Sequence, residues 1–184
     1  MKTASIIALM AAAGLANAGI AASADISGLD SWDVEGDLDN VVFTYDLAAG
    51  AGFASGTDLV VSAVAWDTIF TSAGASWGSE ATIAMDFDGD GMNDLYITPS
   101  STGAPVTSEA NSSGGFVYLN DAGIGDILAV DGTIVIELFE SFDDVDGVVD
   151  GTWGPDSSVS FLVPAPGAAA LLGLGGLVAT RRRR

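Results

Sequence analysis

The stretch DFDGDGMND is the part of this sequence whose residue types and spacing best suit a chemical role. Its aspartates occupy positions 1, 3, 5 and 9 of a loop, and Gly91 occupies position 6, where a calcium loop turns sharply and needs glycine. Oxygen ligands at this spacing suit Ca²⁺ better than Mg²⁺. The sequence therefore predicts a calcium site, with a backbone carbonyl as one ligand. The predicted ligands are Asp86, Asp88, Asp90, Met92 and Asp94.

The same stretch also allows a second interpretation. An EF-hand would need an acidic residue at position 12, but Ile97 stands there within a strand-like run, so the loop is not an EF-hand. Asp-Gly pairs form turns without any metal, so a solvated acidic turn remains an alternative. Two further acidic stretches, DVEGDLDN and DDVDGVVDG, are expected to be solvated loops. Their acidic residues are Asp33, Glu35, Asp37 and Asp39, and Asp143, Asp144, Asp146 and Asp150.

Charge is distributed very unevenly along the chain. There are 25 acidic residues against 5 basic ones, and every acid lies between Asp25 and Asp156. The bases are Lys2 and Arg181 to Arg184, at the two ends. No Lys or Arg in the acidic interval can form a salt bridge, so repulsion there must be relieved by water, salt or bound metal. Nucleic acid is excluded as a partner, because phosphate binding needs a basic surface.

The sequence also limits catalysis. It contains no cysteine and no histidine, which removes disulfides, thiolate nucleophiles and the commonest general base. Any catalysis would rely on carboxylates or hydroxyls, and no Gly-x-Ser-x-Gly nucleophile motif is present. We therefore expect a protein that is not an enzyme.

The first 24 residues are typical of a secretory signal peptide. Lys2 precedes an apolar run, Ile6 to Leu15, and small residues then stand at positions −3 and −1 of two candidate cuts. The candidate cuts follow Ala16-Asn17-Ala18 and Ala22-Ser23-Ala24. We expect export by the Sec machinery and a mature chain that begins between Gly19 and Asp25. The alternative is a buried N-terminal helix, which periodicity alone does not exclude.

Residues 163–184 have three parts in a fixed order. Pro164-Ala165-Pro166 interrupts regular structure, and the uncharged run Gly167 to Thr180 predicts a helix about 21 Å long. A bilayer core is about 30 Å thick, so this helix suits a transient anchor better than a permanent span. Arg181, Arg182, Arg183 and Arg184 follow, and the positive-inside rule keeps them in the cytoplasm.

This order of parts resembles the PEP-CTERM sorting signal, with Ala165 where that family usually has glutamate. The resemblance implies cleavage at or near Pro164-Ala165-Pro166 by an exosortase, a membrane-bound processing enzyme. It also implies a transient inner-membrane anchor, then a cell-surface or extracellular location, and an association with extracellular polysaccharide and biofilm. The alternative is a simple C-terminal anchor that is never cut.

Between the two ends, residues 25–162 predict one all-β domain. Short apolar runs separated by Gly, Asp, Ser and Asn are typical of a β-sandwich or jelly roll. Asp131-Gly132 predicts a hairpin turn, and Trp66 and Trp77 are expected in the core. The predicted strands are Val41–Asp46, Leu59–Trp66, Ala81–Phe87, Leu95–Thr98, Phe116–Leu119, Thr133–Phe139 and Val159–Val163.

Two functions fit these features. The first is an exported surface or matrix protein without catalytic activity. The second is a secreted carbohydrate-binding module of the jelly-roll type, stabilised by calcium, which stacks sugars on exposed tryptophan side chains.

Overall fold

A computed structural model describes residues 19–142 and 147–165 and shows an almost entirely β protein. Residues 1–18 of the predicted signal peptide, Pro166, the predicted helix Gly167–Thr180 and the four arginines lie outside the described residues. A single helical turn, α1, spans Leu47–Gly50. The strands are β1 Gly19–Asp25, β2 Asp30–Ser31, β3 Val41–Asp46, β4 Leu59–Val61, β5 Ala63–Ser72, β6 Ala81–Asp86, β7 Leu95–Ile97, β8 Glu109–Ser112, β9 Val117–Tyr118, β10 Ile127–Ala129, β11 Thr133–Glu140, β12 Gly151–Trp153 and β13 Ser158–Pro164.

The first sheet is built around β5, its longest strand. Along one edge β5 pairs antiparallel with β13 and β12, with Val159 opposite Trp66. Along its other edge it pairs with β8 and β9. β1 continues this sheet beyond β13, and β2 continues it beyond β12.

The second sheet has four strands in the order β3-β11-β6-β7. Its central strand β11 is rich in β-branched and apolar residues, as strands covered on both sides are. Ile136 of β11 lies opposite Phe43 on one side and Met85 on the other. A small two-stranded sheet joins β4 to β10.

The core lies between the two larger sheets. Ile134, Ile136 and Leu138 alternate along β11 and are fully buried, as the period of two in a strand requires. From the first sheet, Phe161 meets Phe87 edge to face with ring centroids 6.0 Å apart. The predicted all-β class and single β-sandwich are confirmed.

The folded unit is longer at both ends than residues 25–162. It runs from Ile20 to Pro164. β1 therefore occupies positions expected to end the signal peptide, and Val163, expected to begin the sorting signal, is 2% exposed in the core. β1 could not be recognised from the sequence, because its alanines suit a signal-peptide cleavage motif and a tightly packed strand equally well.

Two local predictions were wrong. The run Leu59–Trp66 is divided at Ser62, where the chain passes from the small sheet to the first sheet. Asp131 and Gly132 do form a tight turn, with φ of +53° and +60°. However, this turn joins β10 to β11, which pair with different partners, so it does not close a hairpin.

Candidate metal centre

The Asp86–Asp94 loop connects β6 to β7 at one end of the second sheet. The two strands pair antiparallel, with Met85 opposite Leu95. The Asp94 N–H donates to the carbonyl of Met85 at 2.8 Å and closes the base of the loop. The strands therefore fix both ends of the predicted site.

Asp86 organises the interior of this loop. Its side chain is 6% exposed. Its Oδ1 accepts from the N–H groups of Asp88 (3.1 Å) and Gly89 (2.7 Å), and its Oδ2 accepts from Gly91 N–H (3.0 Å). Gly91 has φ of +84°, which a residue with a side chain rarely adopts, so the glycine predicted at the sharp turn is required there.

Three of the four loop aspartates come together. Carboxylate oxygens of Asp86, Asp88 and Asp94 all lie within 4.8 Å of one another. Calcium–oxygen bonds measure about 2.3–2.6 Å, so one ion can reach all three groups. The backbone also fixes the Asp94 side chain, because Asp94 Oδ2 accepts a hydrogen bond from the N–H of Phe87 at 2.8 Å.

The other two predicted ligands are Asp90 and the backbone carbonyl of Met92. Asp90 is not part of this group of three, and its Oδ1 accepts from Met92 N–H at 2.8 Å. The Met92 side chain is 69% exposed. The structure thus brings together positions 1, 3 and 9 of the predicted loop.

A cavity of about 300 Å³ adjoins Asp88 and Asp94. Asp126 also lines this cavity, just before β10, and Asn120 Nδ2 donates to its Oδ1 at 2.5 Å. Val130 N–H donates to the carbonyl of Phe87 at 2.9 Å and holds this segment against the loop. Sequence reasoning missed Asp126, because no motif links it to residues 86–94.

A second acidic group lies in the loop between β2 and β3. Carboxylate oxygens of Asp33, Asp37 and Asp39 lie within 4.8 Å of one another, and Asp33 is 3% exposed. Glu35, from the same stretch, instead accepts from Asn93 Nδ2 (2.7 Å) and from the Tyr96 hydroxyl (2.6 Å). The hydrogen bond to Glu35 raises the pKa of Tyr96, because it favours the protonated phenol.

The third acidic stretch is described only in part. Asp143, Asp144 and Asp146 lie outside the described residues. Asp150 is 3% exposed, and its N–H donates to the carbonyl of Ser31 at 2.9 Å.

The tryptophans do not share one surface. Trp153 is fully buried against Phe70, with ring centroids 5.0 Å apart. Trp66 is half-buried and packs against the core as expected. The prediction for Trp77 was wrong, since this side chain is 46% exposed in the loop between β5 and β6.

The predicted processing motif begins where the sandwich ends. Pro164 is the last residue of β13 and is exposed, and Ala165 follows it half-buried. Within residues 19–142 and 147–165, no helix is long and apolar enough to cross a bilayer.

Comparison with known proteins identifies no family. No protein-family model matches the chain, and no curated protein matches it. The VP2 subviral particle of infectious bursal disease virus is 18% identical with a TM-score of 0.40, covering 79% of this chain and 32% of that chain. The T13 IBDV viral particle is 15% identical with a TM-score of 0.37, covering 82% and 32%. The chain thus spans about a third of the length of these viral proteins, and a likeness this weak carries no conclusion about its function.

Proposed function

We propose that this chain is an exported β-sandwich protein of the cell surface or extracellular matrix, with no catalytic activity of its own. The observation that carries the proposal is the position of the fold. The compact unit Ile20–Pro164 fills the interval between the signal motif Ala16-Asn17-Ala18 and the motif Pro164-Ala165-Pro166. Removing both flanking segments would leave this unit intact.

Processing at the second motif is assigned to an exosortase-type membrane enzyme. The Gly167–Thr180 run anchors the chain in the inner membrane during export, and the arginines hold its end in the cytoplasm. The enzyme then releases or transfers the sandwich to the exterior. There its partner is extracellular polysaccharide, in agreement with the resemblance to PEP-CTERM proteins.

The test is cell fractionation in a Gram-negative host that carries an exosortase. The wild-type protein should appear outside the inner membrane and be shorter than the full chain. Replacing all four arginines with serine should leave uncut or mislocalised protein, because the cytoplasmic stop is lost. Equal processing of both chains would contradict the sorting role of the arginines.

Calcium binding at the Asp86 loop forms the second part of the proposal. The convergence of Asp86, Asp88 and Asp94 supports it, as does the absence of Lys, Arg and His from the described ranges 19–142 and 147–165. A bound divalent cation would relieve the carboxylate repulsion and stabilise the fold by mass action. Excess calcium should raise Tm and a chelator should lower it, whereas no shift would exclude a structural calcium.

Carbohydrate binding is the alternative function, and the surroundings of Trp77 favour it. A Cβ built on Gly103 would lie 3.6 Å from the Trp77 ring. The Trp77 side chain is 46% exposed. An exposed tryptophan ring suits stacking against the apolar face of a sugar ring.

Retention on a polysaccharide column separates the two functions. A carbohydrate-binding module should be retained, and Trp77→Ala should abolish retention. Trp66→Phe serves as the matched control, because Trp66 packs against the core. Elution of the wild-type protein in the void volume would contradict carbohydrate binding and leave the matrix role as the remaining function.

A further inference from the structure

Gly19–Asp25 forms a strand whose side chains alternate between core and solvent. Ala22 is 3% exposed, Ala24 is 1% exposed, and Ile20 packs against the core. The residues between them are exposed. This period of two is the pattern of a half-buried strand. A segment that is cut off and discarded has no need of it.

β1 is joined to the last strand of the sandwich. The hydroxyls of Ser23 and Ser160 share a hydrogen bond of 2.7 Å, and Ile26 N–H donates to the carbonyl of Ser157 at 3.0 Å. The strand order of the sheet places β1 directly beside β13. β1 therefore covers the edge of β13 that does not pair with β5.

Removal of β1 would damage the sandwich in two ways. A Cβ built on Gly50 would lie 3.4 Å from the Cβ of Ala22, so the loss of Ala22 would open a gap beneath the α1 turn. It would also leave β13 as a free edge. That strand carries the buried residues Val159, Phe161 and Val163, and a long apolar edge strand readily pairs with other chains.

We propose that signal peptidase hydrolyses the Ala18–Gly19 peptide bond, and that Ala22-Ser23-Ala24 belongs to the mature fold and is not cut. Water adds across the bond, so Ala18 leaves as a carboxylate and Gly19 begins the mature chain with a free amino group. The inference rests on the export proposed above. It assigns the processed terminus, which the two cleavage motifs in the sequence leave open.

N-terminal sequencing of the exported chain tests the assignment directly. The expected start is Gly19-Ile20-Ala21. Ala18→Leu should abolish this terminus, because the −1 position needs a small residue, whereas Asn17→Leu at the unconstrained −2 position should keep it. An exported chain beginning at Asp25 would overturn the assignment and leave the export proposal standing. A chain that keeps Met1 in the cytosol would overturn both.

Thermal unfolding of the exported protein provides a second readout. If the mature chain contains β1, Ala22→Asp buries a carboxylate and should lower Tm by at least about 5 °C, or prevent recovery of folded protein. Ala22→Ser should lower Tm by less. Ala21→Asp adds the same charge at the neighbouring exposed position and should lower Tm much less than Ala22→Asp. Equal Tm values for all four proteins would show that residues 21 and 22 are absent from the mature fold and would overturn the inference.

Discussion

Three backbone N–H groups converge on the Asp86 carboxylate, so this residue orders its loop. Hydrogen bonds to a charged acceptor are stronger than those between neutral groups. These bonds hold the loop around Asp86. Carboxylate oxygens of Asp88 and Asp94 lie within 4.8 Å of an Asp86 oxygen, as the proposed calcium site requires.

Asp86→Asn should lower the free energy of unfolding by about 1–3 kcal/mol in chelator, because an amide group turns donors toward the loop N–H groups. It should also remove the calcium-induced rise in Tm. Asp90→Asn is the matched control, since Asp90 lies outside the group of three carboxylates, and it should keep most of the rise. Calorimetry with calcium and with chelator measures both. A wild-type response from Asp86→Asn would refute this role.

Glu109 gives a pH-dependent prediction at the same scale. The Thr102 hydroxyl (2.6 Å to Oε1) and the Ser100 hydroxyl (2.7 Å to Oε2) donate to its carboxylate and lower its pKa below the ordinary 4.5. A lowered pKa means that this stabilisation is present above the unfolded-state value and is lost as pH falls through the folded-state value. An NMR titration should give Glu109 a pKa below 4.5.

Removal of the Thr102 hydroxyl tests the cause of the lowered Glu109 pKa. Thr102→Val should move the pKa of Glu109 upward, toward its ordinary value, whereas Thr107→Val, at an exposed neighbouring position, should leave it in place. A Glu109 pKa that is the same in both variants would assign the shift to another cause.

Among the elements, strands within apolar runs were predictable, including the short β7 and β9, whereas β2 and β12 were not. Val41–Asp46 and Thr133–Phe139 were found from their β-branched and aromatic residues, and both are paired strands in the second sheet. β2 has two residues and β12 has three, so neither is long enough to show a period. Tertiary pairing creates these short strands, because β12 pairs with β5 and β2 pairs with β12.

The candidate site likewise has a part that could be predicted from the sequence and a part that could not. Its spacing and Gly91 could be predicted, because ligands and turn lie within one loop. Asp126 could not, since it belongs to the segment just before β10, which pairs with the distant strand β4. Sequence spacing carries no information about such long-range approach.

The turn at Gly132 makes a prediction at the scale of elements. Gly132 has φ of +60°, and a Cβ there would clash with the Thr57 carbonyl and lie 2.6 Å from Ala48 Cβ. Gly132→Ala should therefore lower the free energy of unfolding by about 3 kcal/mol or more, through strain and overpacking together. Urea unfolding measures the change.

Gly123→Ala isolates the backbone contribution to that effect. Gly123 has φ of +79° and open space around its Cβ position, so alanine there should cost only about 1 kcal/mol. Equal losses at the two glycines would show that the packing between the turn and α1 adds nothing.

At the scale of the whole molecule, repulsion between carboxylates is the main electrostatic influence on stability. The described ranges 19–142 and 147–165 contain acidic residues but no Lys, Arg or His, so their carboxylates repel one another. In chelator, raising NaCl from about 10 mM to about 1 M should raise Tm, because the Debye length falls from about 30 Å to about 3 Å. Calcium should stabilise beyond a sodium control of equal ionic strength. A Tm that does not change with salt would contradict the claim that carboxylate repulsion destabilises the fold.

The intact mass of the protein recovered outside the cell tests the central claim most directly. We predict a chain that begins at Gly19 and ends at or near Pro164-Ala165-Pro166, so that the acidic sandwich survives and the basic ends are lost. Recovery of the uncut chain from the cytosol, with Lys2 and Arg181 to Arg184 still attached, would contradict the account.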